Sequence, residues 1–327
     1  MITFNPQLQF NTFDYQLLEQ NSIKEPEWCF SFAFNKDSTI LAVGCQSYIK
    51  LFEFTNGRVS LNQILMNTDF VRSIYFMKKS QNFISGGEDS YILVWQQNQD
   101  NQWFIQQKLL GHSKPIKHII MNQNEDLIIS CSSDKTIKFW VKYNEWVCSQ
   151  TITNHTSQVL SLSINESQNK LISCSEDKSI LVMELSSITN MWFVKQRIFL
   201  QEQGRRLCFI GDNQFTFQPK NKDILYLFQW NSTSQQFYQE MEIPVDSSLD
   251  TNYYFPQQFI NQKQLLINKN GNYINLLRRK VDGTFIKEKA IKFNTNQIFG
   301  TMDVSGDYLV TWDQEQKQLQ FRKFSEI

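Results

Sequence analysis

The chain is 327 residues long, 41% hydrophobic and 14% aromatic, and its 32 Lys and Arg balance 32 Asp and Glu to a formal net charge of zero. That length accommodates one large all-β domain or two average ones, and the apolar content argues against a disordered chain. The charge balance argues against a nucleic-acid binder, which carries a basic excess.

In chain order, the opening MITFNPQLQFNTFDY lacks the basic and then apolar stretches of a signal peptide, and no run of 18 apolar residues follows that would span a membrane. The six cysteines, Cys29, Cys45, Cys131, Cys148, Cys174 and Cys208, contain no C-x-x-C pair, which argues against a zinc ribbon or a thioredoxin-like site. They sit in apolar, strand-like runs, where cysteines are usually buried thiols. Together these features predict a cytoplasmic protein, with the nucleus as the alternative.

Residues 1–20 include one strand-like run, Phe13-Asp-Tyr-Gln-Leu-Leu18, with no inner strands of its own. From there the chain reads as seven units, approximately 27–66, 70–110, 115–153, 158–200, 204–243, 253–292 and 298–324. A unit begins with a β-type run such as Ile116-Lys-His-Ile-Ile-Met121, then a polar turn, an apolar strand, a Ser-x-x-x-Asp turn, and a third strand such as Thr136-Ile-Lys-Phe-Trp140. Ser85 to Trp95, Ser130 to Trp140 and Ser173 to Met183 align directly, with Asp89, Asp134 and Asp177 at steps of 45 and 43 residues. That is the period of four-stranded propeller blades. A sustained 3.6-residue apolar period is absent, so little helix is expected.

The fourth strand of three units follows N-x-W-x-x-x-Q-x-[LI], starting at Asn101, Asn144 and Asn190. Residues two apart in a strand share a face, so Cys148 stands where the sister units place Ile105 and Val194 and is expected to be a small apolar filler. The later units keep the strand order more weakly; Tyr253-Tyr-Phe reads as the first strand of the sixth. The seventh runs out of chain before its fourth strand, and the N-terminal run can supply one. The expected fold is therefore all-β, a seven-bladed β-propeller of four-stranded antiparallel blades, with the last blade closed by an N-terminal strand that removes an open sheet edge. An open solenoid or two β-sandwiches are the alternatives, and seven units with one spare strand favour the ring.

These motifs resemble the WD40-repeat family. The third unit carries Gly111-His112 and Trp140, where the family has Gly-His and Trp-Asp pairs, with Val141 in place of the second aspartate. By that resemblance His112, Ser130, Asp134 and Trp140 form a structural hydrogen-bond tetrad. The fourth unit keeps His155, Ser173 and Asp177 but has Met183 for the tryptophan. The second keeps Ser85, Asp89 and Trp95 but has Asn67 at the histidine position. Units five to seven lack nearly all of it.

Chemistry is scarce. His112 and His155 hold the same repeat position, which suits folding better than a nucleophile–base pair. His118 reads as a packed or surface residue in a strand. No histidines or carboxylates stand at metal-ligand spacing, and Gly86-Gly87 ends a strand rather than forming a phosphate loop, so no metal, cofactor or catalytic residue is expected. Arg205-Arg206 stands at a strand entry, either facing an acidic partner or forming a solvated turn; Arg278 to Lys280 end a strand on the outer side.

The resemblance implies a non-catalytic scaffold or adaptor that presents loop residues to proteins or peptides, without nucleic acid or membrane insertion, as a monomer or a subunit of a complex. Residues entering the inner strands are the candidate contact face: Trp28, Phe70, Lys114, Gln158, Arg205, Tyr253 and Phe299. Core packing is the competing role for Trp28 and Phe70. Trp146-x-Cys148, ending at Asn154-His155, also resembles WD40 adaptors of cytosolic iron–sulfur protein assembly, which hand clusters on and bind none. A propeller enzyme, with catalytic groups in the central channel, is the third reading, and no acid/base pair is evident for it.

Overall fold

A computed structural model describes residues 12–55, 57–250 and 254–327. Seven antiparallel sheets form the blades of a closed propeller. Blade 3 is the plainest: Ile116–Met121 is innermost, followed outward by Leu127–Ser132, Ile137–Lys142 and Trp146–Ile152. The innermost strands of the other blades are Cys29–Phe34, Val71–Phe76, Val159–Ile164, Gly204–Ile210, Gln258–Ile260 and Ile298–Met302. Blade 7 takes its outer strand from the N-terminal side, with Phe13–Leu17 running antiparallel to Gln318–Glu326 from Phe13↔Glu326 to Leu17↔Arg322. Two short 3-10 turns, Glu19–Asn21 and Asn261–Lys263, are the helical elements among the described residues.

The burial pattern follows from the architecture. The second and third strands of a blade are covered on both faces and read as near-continuous apolar runs, such as Leu127–Ser132. The outer strands keep a buried residue near each end and expose the middle, as in Trp146–Ile152. Apolar clusters fill the wedges between blades: Phe139 of blade 3 stacks on Trp192 of blade 4 at 5.6 Å, and Trp140 packs with Ile84 and Val94 of blade 2.

A one-residue bulge in each outer strand of blades 1 to 6 changes which residues share a face. In blade 3 Cys148 lies opposite Trp140, while Gln150 lies opposite Phe139. Trp146 therefore packs toward blade 2 and Ile152 toward blade 4. The simple alternation expected from the sequence fails here. Cys148 is exposed rather than an apolar filler, as is Ile105 at the sister position, because the blades diverge toward the rim. The other five cysteines are buried.

Blade 6 departs most from the sequence expectation. Its innermost strand is the three-residue Gln258–Ile260, and it includes neither Tyr254 nor Phe255. Tyr254 and Phe255 instead precede the strand as a non-strand segment, with Phe255 fully buried. Tertiary packing overrides the β-propensity of the aromatics. Tyr254 reaches across the channel, its ring 6.0 Å from Phe30 of blade 1.

Candidate functional site

Each innermost strand begins, and each second strand ends, at the same face of the ring, and the tetrads stand there. In blade 3 the Asp134 Oδ2 accepts from His112 Nδ1 at 2.8 Å and from the Ser113 N–H at 3.0 Å; its Oδ1 accepts from Thr136 N–H and Oγ1. His112 Nε2 meets Ser130 Oγ at 2.8 Å, and the Trp140 indole N–H donates to the same hydroxyl at 2.9 Å. A histidine that gives its Nδ1 proton to Asp134 leaves Nε2 to accept from Ser130, so all donors in the chain point one way. In blade 4 His155 lies 2.8 Å from Asp177 and 2.9 Å from Ser173, and Met183 fills the indole position. Burial opposes ionisation of both carboxyls, but hydrogen bonds from His112 and Thr136, or from His155 and Ser179, hold them well below the usual carboxylate range. In blade 2 the Trp95 indole donates to Ser85 at 2.9 Å. There the Thr68 hydroxyl, not Asn67, reaches Asp89; Asn67 turns to the Asp69 carbonyl.

The expected contact residues divide. Phe70 and Lys114 are exposed. Gln158 is half-buried, accepting from Ser133 Oγ at 2.6 Å. Trp28 is half-buried among Phe30, Phe299 and Trp312. Phe299 and Arg205 are buried and do not belong to an open face, and Tyr253 lies outside the described residues. Arg206 is also fully buried, so the expected exposed arginine pair is replaced by an internal charge cluster. Its Nη1 lies 2.6 Å from Asp250 Oδ2, its Nε donates to the Phe255 carbonyl at 2.8 Å, and Lys269 pairs with the other Asp250 oxygen. Burial pulls the Lys269 ammonium down to about 7, with Asp250 working against the shift. Arg278 is likewise buried, bonded to Glu288 and lying over the Phe13 ring, at the end of Tyr273–Arg279.

Sequence reasoning missed the residues that gather at the channel mouth. Phe30, Arg72 and Lys117 are the second residues of the innermost strands of blades 1, 2 and 3. The Arg72 guanidinium lies 4.0 Å from the Phe30 ring, 4.6 Å from Tyr254 and 5.4 Å from Phe70, and its Nε donates to Glu88 at 2.7 Å. Lys117 donates to the Tyr254 hydroxyl at 3.3 Å. The result is an aromatic-flanked cationic patch with Phe70 at its open edge, the composition of an interface anchor. The shared strand position was a usable signal, but pairing it with Tyr254 requires the closed ring.

Below this mouth His118 lines the channel. Its Nδ1 accepts from the Leu162 N–H at 3.1 Å, and burial lowers its pKa to about 4. The expectation of no metal-ligand grouping also needs correction. Among the described residues Glu25, Cys29 and Cys45 bring one ligand atom each to within 4.8 Å of one another. Spacing in the sequence hides this, because strand pairing, not proximity along the chain, sets Cys29 opposite Cys45.

A family model described as WD domain, G-beta repeat matches residues 60–96, 103–141 and 146–182. Among curated proteins, the chain is 30% identical over 74 residues to a "Probable cytosolic iron-sulfur protein assembly protein CIAO1 homolog" of Caenorhabditis elegans, covering 23% of this chain and 22% of that protein. It is 29% identical over 122 residues to a "Probable cytosolic iron-sulfur protein assembly protein 1" of Candida glabrata, covering 34% and 36%. An uncharacterised WD repeat-containing protein of Schizosaccharomyces pombe is 26% identical over 92 residues, covering 28% and 24%. The chain thus spans between about a fifth and just over a third of the length of these relatives. No helix among the described residues is long and apolar enough to cross a membrane.

Proposed function

We propose that this chain, a WD40-repeat protein, is a non-catalytic interaction scaffold whose channel mouth docks an acidic segment of a protein partner. The observation that carries the reading is Arg72, held between the Phe30 and Tyr254 rings beside the exposed Phe70. Its guanidinium is oriented in advance by the two rings and by Glu88 at Nε, so a partner carboxylate that displaces or joins Glu88 meets a fixed cation next to apolar area. His112 and His155, the residues that most invite a catalytic reading, are committed to Asp134 and Asp177.

The test is capture of partners from cell extract on the purified chain, compared with Arg72→Ala and Phe70→Ala. Truncating an anchor of this kind weakens binding by on the order of thirtyfold or more, about 2 kcal/mol. Partners retained equally by both variants would remove the channel mouth as the docking face.

A second, narrower reading makes the chain an adaptor in cytosolic iron–sulfur protein assembly. It rests on the two partial similarities to proteins so named. Identification of iron–sulfur assembly subunits among the captured proteins supports it, and their absence from the captured set removes it while leaving the scaffold reading in place.

A further inference from the structure

We propose that Glu25, Cys29 and Cys45 form a binding site for a thiophilic divalent cation of the zinc class. Glu25 stands four residues ahead of the innermost strand of blade 1, the position that His112 and His155 hold in blades 3 and 4. Blade 1 has no tetrad. At the same end of its sheet, Cys29 opens the innermost strand and Cys45 closes the second, directly opposite each other.

The donor set is convergent and dry. The two thiols are fully buried, and the Glu25 side chain is 4% exposed. Their ligand atoms lie within 4.8 Å of one another. Around a tetrahedral zinc, with bonds of about 2.0–2.3 Å, ligand atoms stand about 3.3–3.8 Å apart, a contraction that side-chain torsions can supply. The fourth position is left to water. Glu27 stands beside the group, its Oε2 buried without a hydrogen-bond partner and 3.8 Å from Lys50 Nζ. Two thiolates with a carboxylate suit zinc better than magnesium or calcium, which take oxygen sets.

The site already holds a cation of its own. Lys50 Nζ lies 2.7 Å from Glu25 Oε2, so one ammonium serves both carboxylates. Its side chain is 18% exposed and can withdraw to solvent. Outer contacts fix the ligands: the Glu27 N–H donates to Glu25 Oε1 at 3.3 Å, the Cys29 thiol donates to the Glu27 carbonyl at 3.6 Å, and the Trp312 indole donates to the Glu25 carbonyl at 2.9 Å. On loading, two sulfur–metal bonds, one bond to a Glu25 oxygen and one to water form, both thiol protons leave to solvent, and the ammonium is displaced from Glu25.

The experiment uses the full chain carrying Cys148→Ser, which removes the exposed thiol, stripped with chelator and titrated with Co²⁺ and then Zn²⁺. One equivalent of Co²⁺ is expected to give thiolate-to-cobalt charge-transfer absorption that Zn²⁺ displaces and that Cys45→Ser abolishes. Lys50→Met, which removes a positive charge beside the bound cation, is expected to tighten binding by on the order of tenfold. Absence of the band, its persistence in Cys45→Ser, or equal affinity in Lys50→Met overturns the site and leaves Lys50–Glu25 as an ion pair. If Cys45→Ser does not fold, the Lys50→Met comparison decides alone.

Discussion

The side-chain amide of Gln150 holds the main chain of Trp192 at both of its polar groups: the Trp192 N–H donates to Oε1 at 2.9 Å, and Nε2 donates to the Trp192 carbonyl. The same clamp joins Gln63 to Trp103, Gln107 to Trp146 and Gln196 to Phe237. Each glutamine lies just past the bulge of its outer strand and points to the next blade. Met241 and Lys289 hold the position in blades 5 and 6, and Lys289 there pairs with Asp14 instead. Gln150→Ala should cost about 1–2 kcal/mol, the net worth of two hydrogen bonds. Urea unfolding checks it; Met241→Ala, without a clamp to lose, provides the contrast in outer-strand packing.

The charge cluster of blades 5 and 6 predicts a larger effect. Asp250→Asn removes the carboxylate shared by Arg206 and Lys269, both fully buried. Leaving buried cations without their counter-charge costs about 3–5 kcal/mol. Arg206, which Asp250 holds, also donates to the carbonyl of Phe255 next to Tyr254, so Asp250→Asn should also weaken partner capture. A folded variant of unchanged urea midpoint would contradict this account.

Acid should lower stability over two separate pH ranges. His118 has its pKa lowered by burial to about 4, against about 6.5 when unfolded. The neutral ring is favoured in the fold, so its contribution is complete above about pH 6.5 and declines as the pH falls toward 4. At pH 5 the loss is about 2 kcal/mol. Asp134 and Asp177 have depressed folded values, so their contribution is present above the unfolded value of about 3.9 and is lost below it. Stability measured against pH should flatten between 6.5 and 5 in His118→Asn and below 4 in Asp134→Asn.

Removing residues 12–17 should open the ring. Phe13 stacks on Phe324 at 5.4 Å, and the Tyr15 hydroxyl donates to the Gly306 carbonyl at 2.6 Å. Without them residues 322–326 become a bare sheet edge, which templates association between copies, while Ile23–Lys24 still pairs with Leu319 and Gln318. Light scattering and a lowered melting temperature are the readouts. A truncated chain that stays monomeric with an unchanged melting temperature would refute it.

What could be read from the sequence is what lies close together along it. The Ser-x-x-x-Asp turns, led by a histidine in blades 3 and 4, identify blades 2 to 4 because each network is built from neighbouring stretches of the chain. Trp146 and Gln150 were visible as a recurring spacing, but the bulge between them, which turns them to opposite faces, was not. The Arg72 patch and the Glu25, Cys29 and Cys45 group arise from ring closure and strand pairing, which bring together residues distant along the chain. Tyr254 and Phe255 resemble strand residues, and the packing against Arg206 and blade 7 decides otherwise.

The segment bearing Tyr254 acts as a spoke across a wheel. It is rooted beside blade 6, yet its ring touches Phe30 and Arg72 and its hydroxyl accepts from Lys117. Three blades on the far rim therefore register any displacement of one side chain. A propeller without this strut would answer a tug on one blade only through its neighbours around the circumference; here the load is carried straight across the diameter.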